Sequence, residues 1–342
     1  MIIPIDLETR EAFFSECQEI FDSNYWSDGY KTKQFERLFS DYVGCKTKSI
    51  SSGGAGLLAI LQYIGVENQE VILPNNTFWA DTRAVQMAGG IPIYADCNKE
   101  DLCLSVEDVE KRITRKTKVI IVVHIGGHIA FQINELVELC KRKRIYLIED
   151  CAHAHGAEWN GKKAGTYGYA GTYSFYATKS LPVGDGGMVV SDDERLLEWT
   201  ESYRNYGKAV ENGKVKYPVI NGFNFRISEF SAALGVVQLK RFNQILQWKR
   251  QLALKYDQIF ENRVKFPTGM VSGYYKYIVF DYQLKEETGK VFNQTDFGTN
   301  ILQLSEELPN SNWIGKHHSC VPIFFGYEYA GKTIEELRRR LI

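Results

Sequence analysis

Between residues 71 and 191 short apolar runs alternate with stretches of helical spacing, and this rhythm restricts the chain more than any other feature. The runs Val71–Leu73, Ile91–Ala95, Val119–Val123 and Ile145–Ile148 are rich in Val and Ile. The last three each follow a stretch with apolar residues at helical intervals, Thr82–Ala88, Val106–Ile113 and Ile133–Lys143. Strands alternating with helices require crossover connections, so the expectation is an α/β fold with a mostly parallel sheet covered by helices on both faces. Two further strands are expected at Gly171–Phe175 and Gly187–Ser191, and a helix over Leu57–Ile64.

In such sheets functional residues collect at the carboxyl ends of the strands. That rule selects Pro74-Asn-Asn-Thr-Phe, His124-Ile-Gly-Gly-His and Glu149-Asp-Cys-Ala-His, so three strand ends deliver polar groups to one edge. The rhythm stops near Arg241. Ser228 to Lys255 reads as one long helix capped by Ser228, with Phe230, Ala233, Leu234 and Val237 as its stripe. Beyond it, 264–282 reads as short strands around a turn at Ser272-Gly273, and 334–341 as a closing helix. The expected division is a large domain over 1–240 and a smaller α+β domain over 241–342.

Composition excludes several classes. The 342 residues carry 41 basic and 42 acidic side chains, which speaks against a nucleic-acid partner held by a basic field. No apolar run reaches the roughly 18–20 residues of a membrane span, and the first residues show no secretory signal. Seven scattered cysteines without paired spacing argue against a disulfide scaffold and a zinc site; His317-His318 lacks a third ligand, so no metal is expected. The expectation is a cytoplasmic protein with no membrane partner.

Lys179 lies in Ser174-Phe-Tyr-Ala-Thr-Lys-Ser-Leu-Pro-Val-Gly-Asp-Gly-Gly between two expected strands. It reads either as a solvated lysine or as an amine whose surroundings depress its pKa for carbonyl chemistry. Asp150 closes an apolar strand and reads either as a helix cap or as a buried acid that keeps a pyridine nitrogen protonated. His153 follows it, a packed histidine or one beside such a ring. Ser51-Ser-Gly-Gly-Ala-Gly ahead of Leu57 reads as a plain helix start or a phosphate cradle.

Taken in order, Ser51-Ser-Gly-Gly, Asn76-Thr-Phe, Glu149-Asp-Cys-Ala-His-Ala-His-Gly, Ser174-Phe-Tyr-Ala-Thr-Lys, Gly184-Asp-Gly-Gly and Gly222-Phe-Asn-Phe-Arg-Ile-Ser-Glu resemble the DegT/DnrJ/StrS sugar aminotransferases. The resemblance runs from about Trp26 to Arg241. It implies the fold type I architecture of pyridoxal-phosphate-dependent transferases and pyridoxal 5'-phosphate as cofactor, with pyridoxamine 5'-phosphate as its amino form. It implies that Lys179 forms the internal aldimine and shuttles the proton, and that Asp150 pairs with the ring nitrogen. His153 would lie on the phenolic-oxygen side and Phe78 would stack on the ring. Ser174, with the backbone of Gly54 and Ala55, would hold the phosphate, and Asn224 would reach the phosphate of the other subunit of a homodimer. Relatives usually carry Thr where this chain has Gly54, and Glu where it has Asp185. The loop 124–128 also departs from them, so it is expected to influence substrate choice, as are the loops 26–31 and 295–318.

The activity implied is transfer of an amino group from glutamate or glutamine to a keto sugar, nucleotide-linked, in a ping-pong course. A second reading keeps the cofactor and changes the acceptor to a keto-cyclitol or a small phosphorylated ketone. A third, a cofactor-binding regulatory protein without turnover, is opposed by the joint presence of Lys179, Asp150 and His153.

Overall fold

The computed structural model describes residues 3–291, 308–325, 329 and 331–342. The part of the 295–318 loop up to residue 307 therefore lies outside the described residues.

A seven-stranded sheet organises the chain: β1 (Thr47–Ile50), β2 (Glu70–Pro74), β3 (Ile91–Ala95), β4 (Thr117–Val123), β5 (Tyr146–Asp150), β6 (Ala170–Ser174) and β7 (Gly187–Val190). Their spatial order is β1-β7-β6-β5-β4-β2-β3. The pairs among β2, β3, β4, β5 and β6 are parallel, as the alternation predicts. β7 runs antiparallel to both β6 and β1, which a short loop after β6 permits without a crossover helix. Val119–Val123 is buried throughout, as a strand covered on both faces must be.

Ten α-helices are found among the described residues: α1 (Leu7–Ser23), α2 (Tyr30–Val43), α3 (Gly53–Ile64), α4 (Trp79–Met87), α5 (Val106–Arg112), α6 (Ile133–Lys143), α7 (Glu194–Tyr203), α8 (Glu229–Tyr256), α9 (Pro309–His317) and α10 (Ile334–Leu341). α4 begins three residues before the expected start at Thr82, with Phe78 in extended backbone at its N-cap and Asp81 buried in its first turn. α8 begins where expected, the Ser228 hydroxyl accepting the Ser231 N–H at 3.0 Å. Its 28 residues pass through position 241 without a break. The first part of α8 packs on α1 and α2. Its last turns belong to a second apolar cluster with Phe260, Tyr277, Val321, Leu337 and Leu341.

The strands expected over 264–282 are present at Met270–Val271 and Tyr277–Phe280, but they do not pair with each other. Met270–Val271 joins Glu158–Trp159, and Tyr277–Phe280 joins His318–Val321, both antiparallel. The Ser272-Gly273 segment is therefore not a hairpin turn: the Gly273 N–H and the Ser272 hydroxyl both donate to the Gly127 carbonyl, tying it to the loop after β4. All seven cysteines are free, and among the described residues no helix is long and apolar enough to cross a membrane.

Candidate active site

The carboxyl ends of β2, β4, β5 and β6 open into one cavity of about 480 Å³. Six of the eight residues singled out in the sequence line it: Gly54, Phe78, Asp150, His153, Ser174 and Lys179. Ala55 and Asn224 do not. Ala55 lies one residue deeper in α3, and its N–H donates to the Ser52 hydroxyl at 3.1 Å, which caps that helix. Asn224 is exposed and joins Asn205 in an isolated bridge away from the cavity of its own chain.

Each side chain is placed by its element. Asp150 is the last residue of β5, and its carboxylate accepts the Ala152 N–H at 2.7 Å. Lys179 sits in a turn between β6 and β7, with its N–H bonded to the Tyr176 carbonyl at 2.8 Å. Its ammonium end stands 5.1 Å from the centre of the Tyr275 ring. His153 stacks on the other part of the same neighbourhood, 4.0 Å from Tyr275 at 19°. Phe78 forms the N-cap position of α4 and leaves over half of its surface open to the cavity. At the start of α3, Gly53 and Gly54 face Ser174 across the opening. A side chain at Gly53 would bring its Cβ within 2.9 Å of the Ser174 Cβ, so glycine is needed for that approach.

Burial dominates the electrostatics. It pulls the Lys179 amine down to about 8, against the opposing pull of Asp150 and Asp81. Burial raises Asp150, and it raises Asp81 well above the ordinary carboxylate range, with Asp150's charge adding to it. The His153 imidazole is held well below its usual value by burial and by Lys179, so it is neutral at pH 7.

Two buried atoms facing this cavity have no hydrogen-bond partner among the described residues, Asp81 Oδ1 and His153 Nδ1. Unpaired polar atoms are costly to bury. Together with an amine of lowered pKa, a buried acid, and a helix N-terminus suited to an anion, they fit a phosphorylated, carbonyl-bearing heterocycle.

Three contributors escaped the sequence reading, and a fourth, Thr77, stood inside a quoted motif without a role of its own. Asp81 has the ordinary look of an acid in a helix's first turn, and Thr77 that of a turn residue; their hydroxyl–carboxylate bond is visible only in the fold. Tyr275 and Lys276 come from the far side of α8, where the alternation offers no guide. Loop 124–128 contributes only Ile125, beside Val123 from the end of β4. Its two histidines turn inward instead: His124 Nε2 pairs with Glu149 at 2.8 Å, and His128 Nε2 with the Asp101 carbonyl at 2.9 Å.

The last motif has a structural account. Glu229 is buried and accepts the N–H groups of Gly29, Lys31 and Thr32, capping α2 from 197 or more residues away.

The profile of the DegT/DnrJ/EryC1/StrS aminotransferase family matches residues 8–294, well beyond the stretch that carries the motifs. GDP-perosamine synthase of Vibrio cholerae is 36% identical over 72% of this chain and 66% of its own length. L-glutamine:2-deoxy-scyllo-inosose aminotransferase of Streptomyces kanamyceticus is 36% identical over 72% of this chain and 61% of its own. The crystal structure of the aminotransferase TlmJ from Streptoalloteichus hindustanus superposes with a TM-score of 0.87 at 25% identity, covering 99% of this chain and 97% of that one. With this cavity at the strand ends of this sheet, the chain belongs to the DegT/DnrJ/EryC1/StrS aminotransferase family.

Proposed function

We propose that this chain uses pyridoxal 5'-phosphate to move an amino group from glutamate or glutamine to a keto sugar carried on a nucleotide. The observation that carries the reading is the pairing of Lys179, a buried amine lowered to about 8, with the buried acid Asp150 in one cavity. When bound, the cofactor supplies an electron sink for the carbanion at the substrate's amino-bearing carbon.

The chain's residues divide the remaining work. Lys179 Nζ is the nucleophile toward the cofactor's carbonyl, and it takes and returns the proton at the amino-bearing carbon. A lowered pKa keeps a neutral fraction of this amine at working pH, which both roles need. Asp150 holds the protonated ring nitrogen, His153 lies toward the phenolic oxygen, and Phe78 covers one ring face. Ser174 and the backbone of Gly54 bind the phosphate at the start of α3, and the Ala55 N–H joins them by leaving the Ser52 hydroxyl. Asn224 completes the site of a partner subunit in a homodimer. Exposed apolar residues around it, Tyr217, Ile220 and Phe223, support a covered surface there. The large and small domains divide near residue 241, in keeping with the second apolar cluster beyond that point. Seven free cysteines accord with work in the cytoplasm.

A keto-cyclitol acceptor is the second reading, favoured by the 36% identity to an enzyme named for a scyllo-inosose. The test offers the amino-loaded protein a GDP-linked keto sugar and a free keto-cyclitol in parallel. Return of the cofactor's yellow colour with the nucleotide-linked ketone alone supports the first reading; return with the cyclitol alone replaces it by the second.

A further inference from the structure

Asp81 is fully buried at the first turn of α4 and lines the same cavity as Asp150. One of its oxygens, Oδ2, accepts the Thr77 hydroxyl. The other, Oδ1, has no donor among the described residues. The group within hydrogen-bonding reach is the Asp150 carboxyl, itself only an acceptor when ionised. Two buried carboxylates in contact cannot both be charged, and a buried acceptor oxygen without a donor is costly. One proton between the two carboxyls removes both costs.

We propose that Asp81 and Asp150 hold a single proton between them, with Asp81 the positioning residue that donates to Asp150 and leaves the cavity floor with one negative charge. The proposal rests on the reading above for its consequence, and on the carboxyl geometry alone for its existence. The consequence concerns Lys179. Its amine feels both carboxyls; two full charges would hold it as an ammonium ion, whereas one leaves it free to act as nucleophile and base. One negative charge also matches one protonated ring nitrogen, so Asp150 meets the ring with its other acceptor sites free.

The groups facing the pair come from several elements. The charge of Lys179 acts on both carboxyls, and Lys276 lines the same cavity. His124 acts on Asp150, and Tyr94 on β3 feels the charge of Asp81. Asp185 also lines the cavity but is not among the charges that act most on either carboxyl, so the shared proton belongs to this pair.

The experiment is carbon NMR of the full chain labelled at aspartate side-chain carboxyls, recorded over a pH series with pyridoxal phosphate bound and after its removal. One un-ionised carboxyl resonance should persist at pH 7 in the cofactor-free protein and be absent from Asp81→Asn. In Asp150→Asn, which keeps Asp81, that resonance should move to the ionised position at a lower pH than in the unaltered chain. A spectrum with every aspartate ionised at pH 7 overturns the proposal. So does an un-ionised signal that survives Asp81→Asn, or one whose titration ignores Asp150→Asn. A chain that shows the shared proton yet takes up no pyridoxal phosphate would leave the acid pair standing and overturn the functional reading instead.

Discussion

Glu149 and Asp150 are neighbours at the end of one strand, and their side chains leave its two faces for opposite fates. Glu149 accepts backbone N–H groups of Gly165, Tyr167 and Gly168 at 2.6–2.7 Å and pairs with His124. Its charge is spent on holding the 165–168 loop and the turn after β4 in place. Asp150 has one backbone donor, from Ala152, and otherwise faces the cavity. The same contrast separates Glu229, saturated by the N-terminus of α2, from Asp81 with its unpaired oxygen. Buried acids with complete hydrogen bonding hold this fold together. The buried acids that backbone donors leave incomplete gather at the cavity instead, Asp81 completed by the proton it shares with Asp150 and Asp150 by a ligand.

The largest effect that tests the contrast is at Lys179. Lys179→Ala should lower transamination by at least about 10³-fold while the protein stays folded, measured as amino transfer beside circular dichroism. The strand-end pair comes next. Glu149→Gln should destabilise the fold by about 3 kcal/mol, read from denaturant unfolding, because three N–H donors and an imidazole lose their anion. Asp150→Asn should leave stability unchanged or raised and lower activity by about 100-fold. Equal losses of stability in the two variants would break the comparison.

A pH series sharpens it further. The folded chain lowers the Lys179 amine from 10.5 to about 8. The unfolded chain therefore binds the proton more readily, and this weakens the fold at every pH below about 8. The penalty fades as pH rises from 8 toward 10.5 and is gone above that. Lys179→Met should thus melt a few degrees higher than the unaltered chain at pH 7, with the gain shrinking through that window. The smallest effect is in the first turn of α3. A Cβ at Gly54 would meet only the Ala80 Cβ at 3.5 Å, an ordinary contact. Gly54→Thr should fold normally and tighten pyridoxal phosphate by about tenfold or less through its hydroxyl. Gly53→Ala, with 2.9 Å to the Ser174 Cβ, should instead lower stability by about 1–3 kcal/mol and weaken that binding.

The parallel strands β3, β4 and β5 were legible because each is a short apolar run preceded by a helix of readable period. Asp150 was legible because it closes an apolar strand, and Lys179 because it lies in a small-residue, Gly-rich segment between two strands. Asp81 was not: an acid in the first turn of a helix has an everyday explanation, and the partner that alters its meaning lies 69 positions later, on β5. Tyr275 was hidden for a related reason, since it precedes a strand, Tyr277–Phe280, that pairs with one some forty residues on rather than with its neighbour. The histidines of loop 124–128 misled in the opposite direction. Titratable groups at a strand end suggest a site, but Gly126 and Gly127, both at positive φ, let the loop curl so that the rings turn into the protein. Local pattern reports which element a residue is on. Whether its hydrogen bonds are complete depends on the tertiary neighbours.

The central claim, that Lys179 and Asp150 form a working cofactor site, is tested most directly by the visible spectrum of the purified protein with pyridoxal phosphate, before and after L-glutamate or L-glutamine. The account predicts a yellow band that bleaches on adding the amino donor as near-ultraviolet absorbance grows, with the conversion lost in Lys179→Ala. A protein that develops no visible band after the cofactor is added, or one whose band bleaches equally in Lys179→Ala, would contradict it.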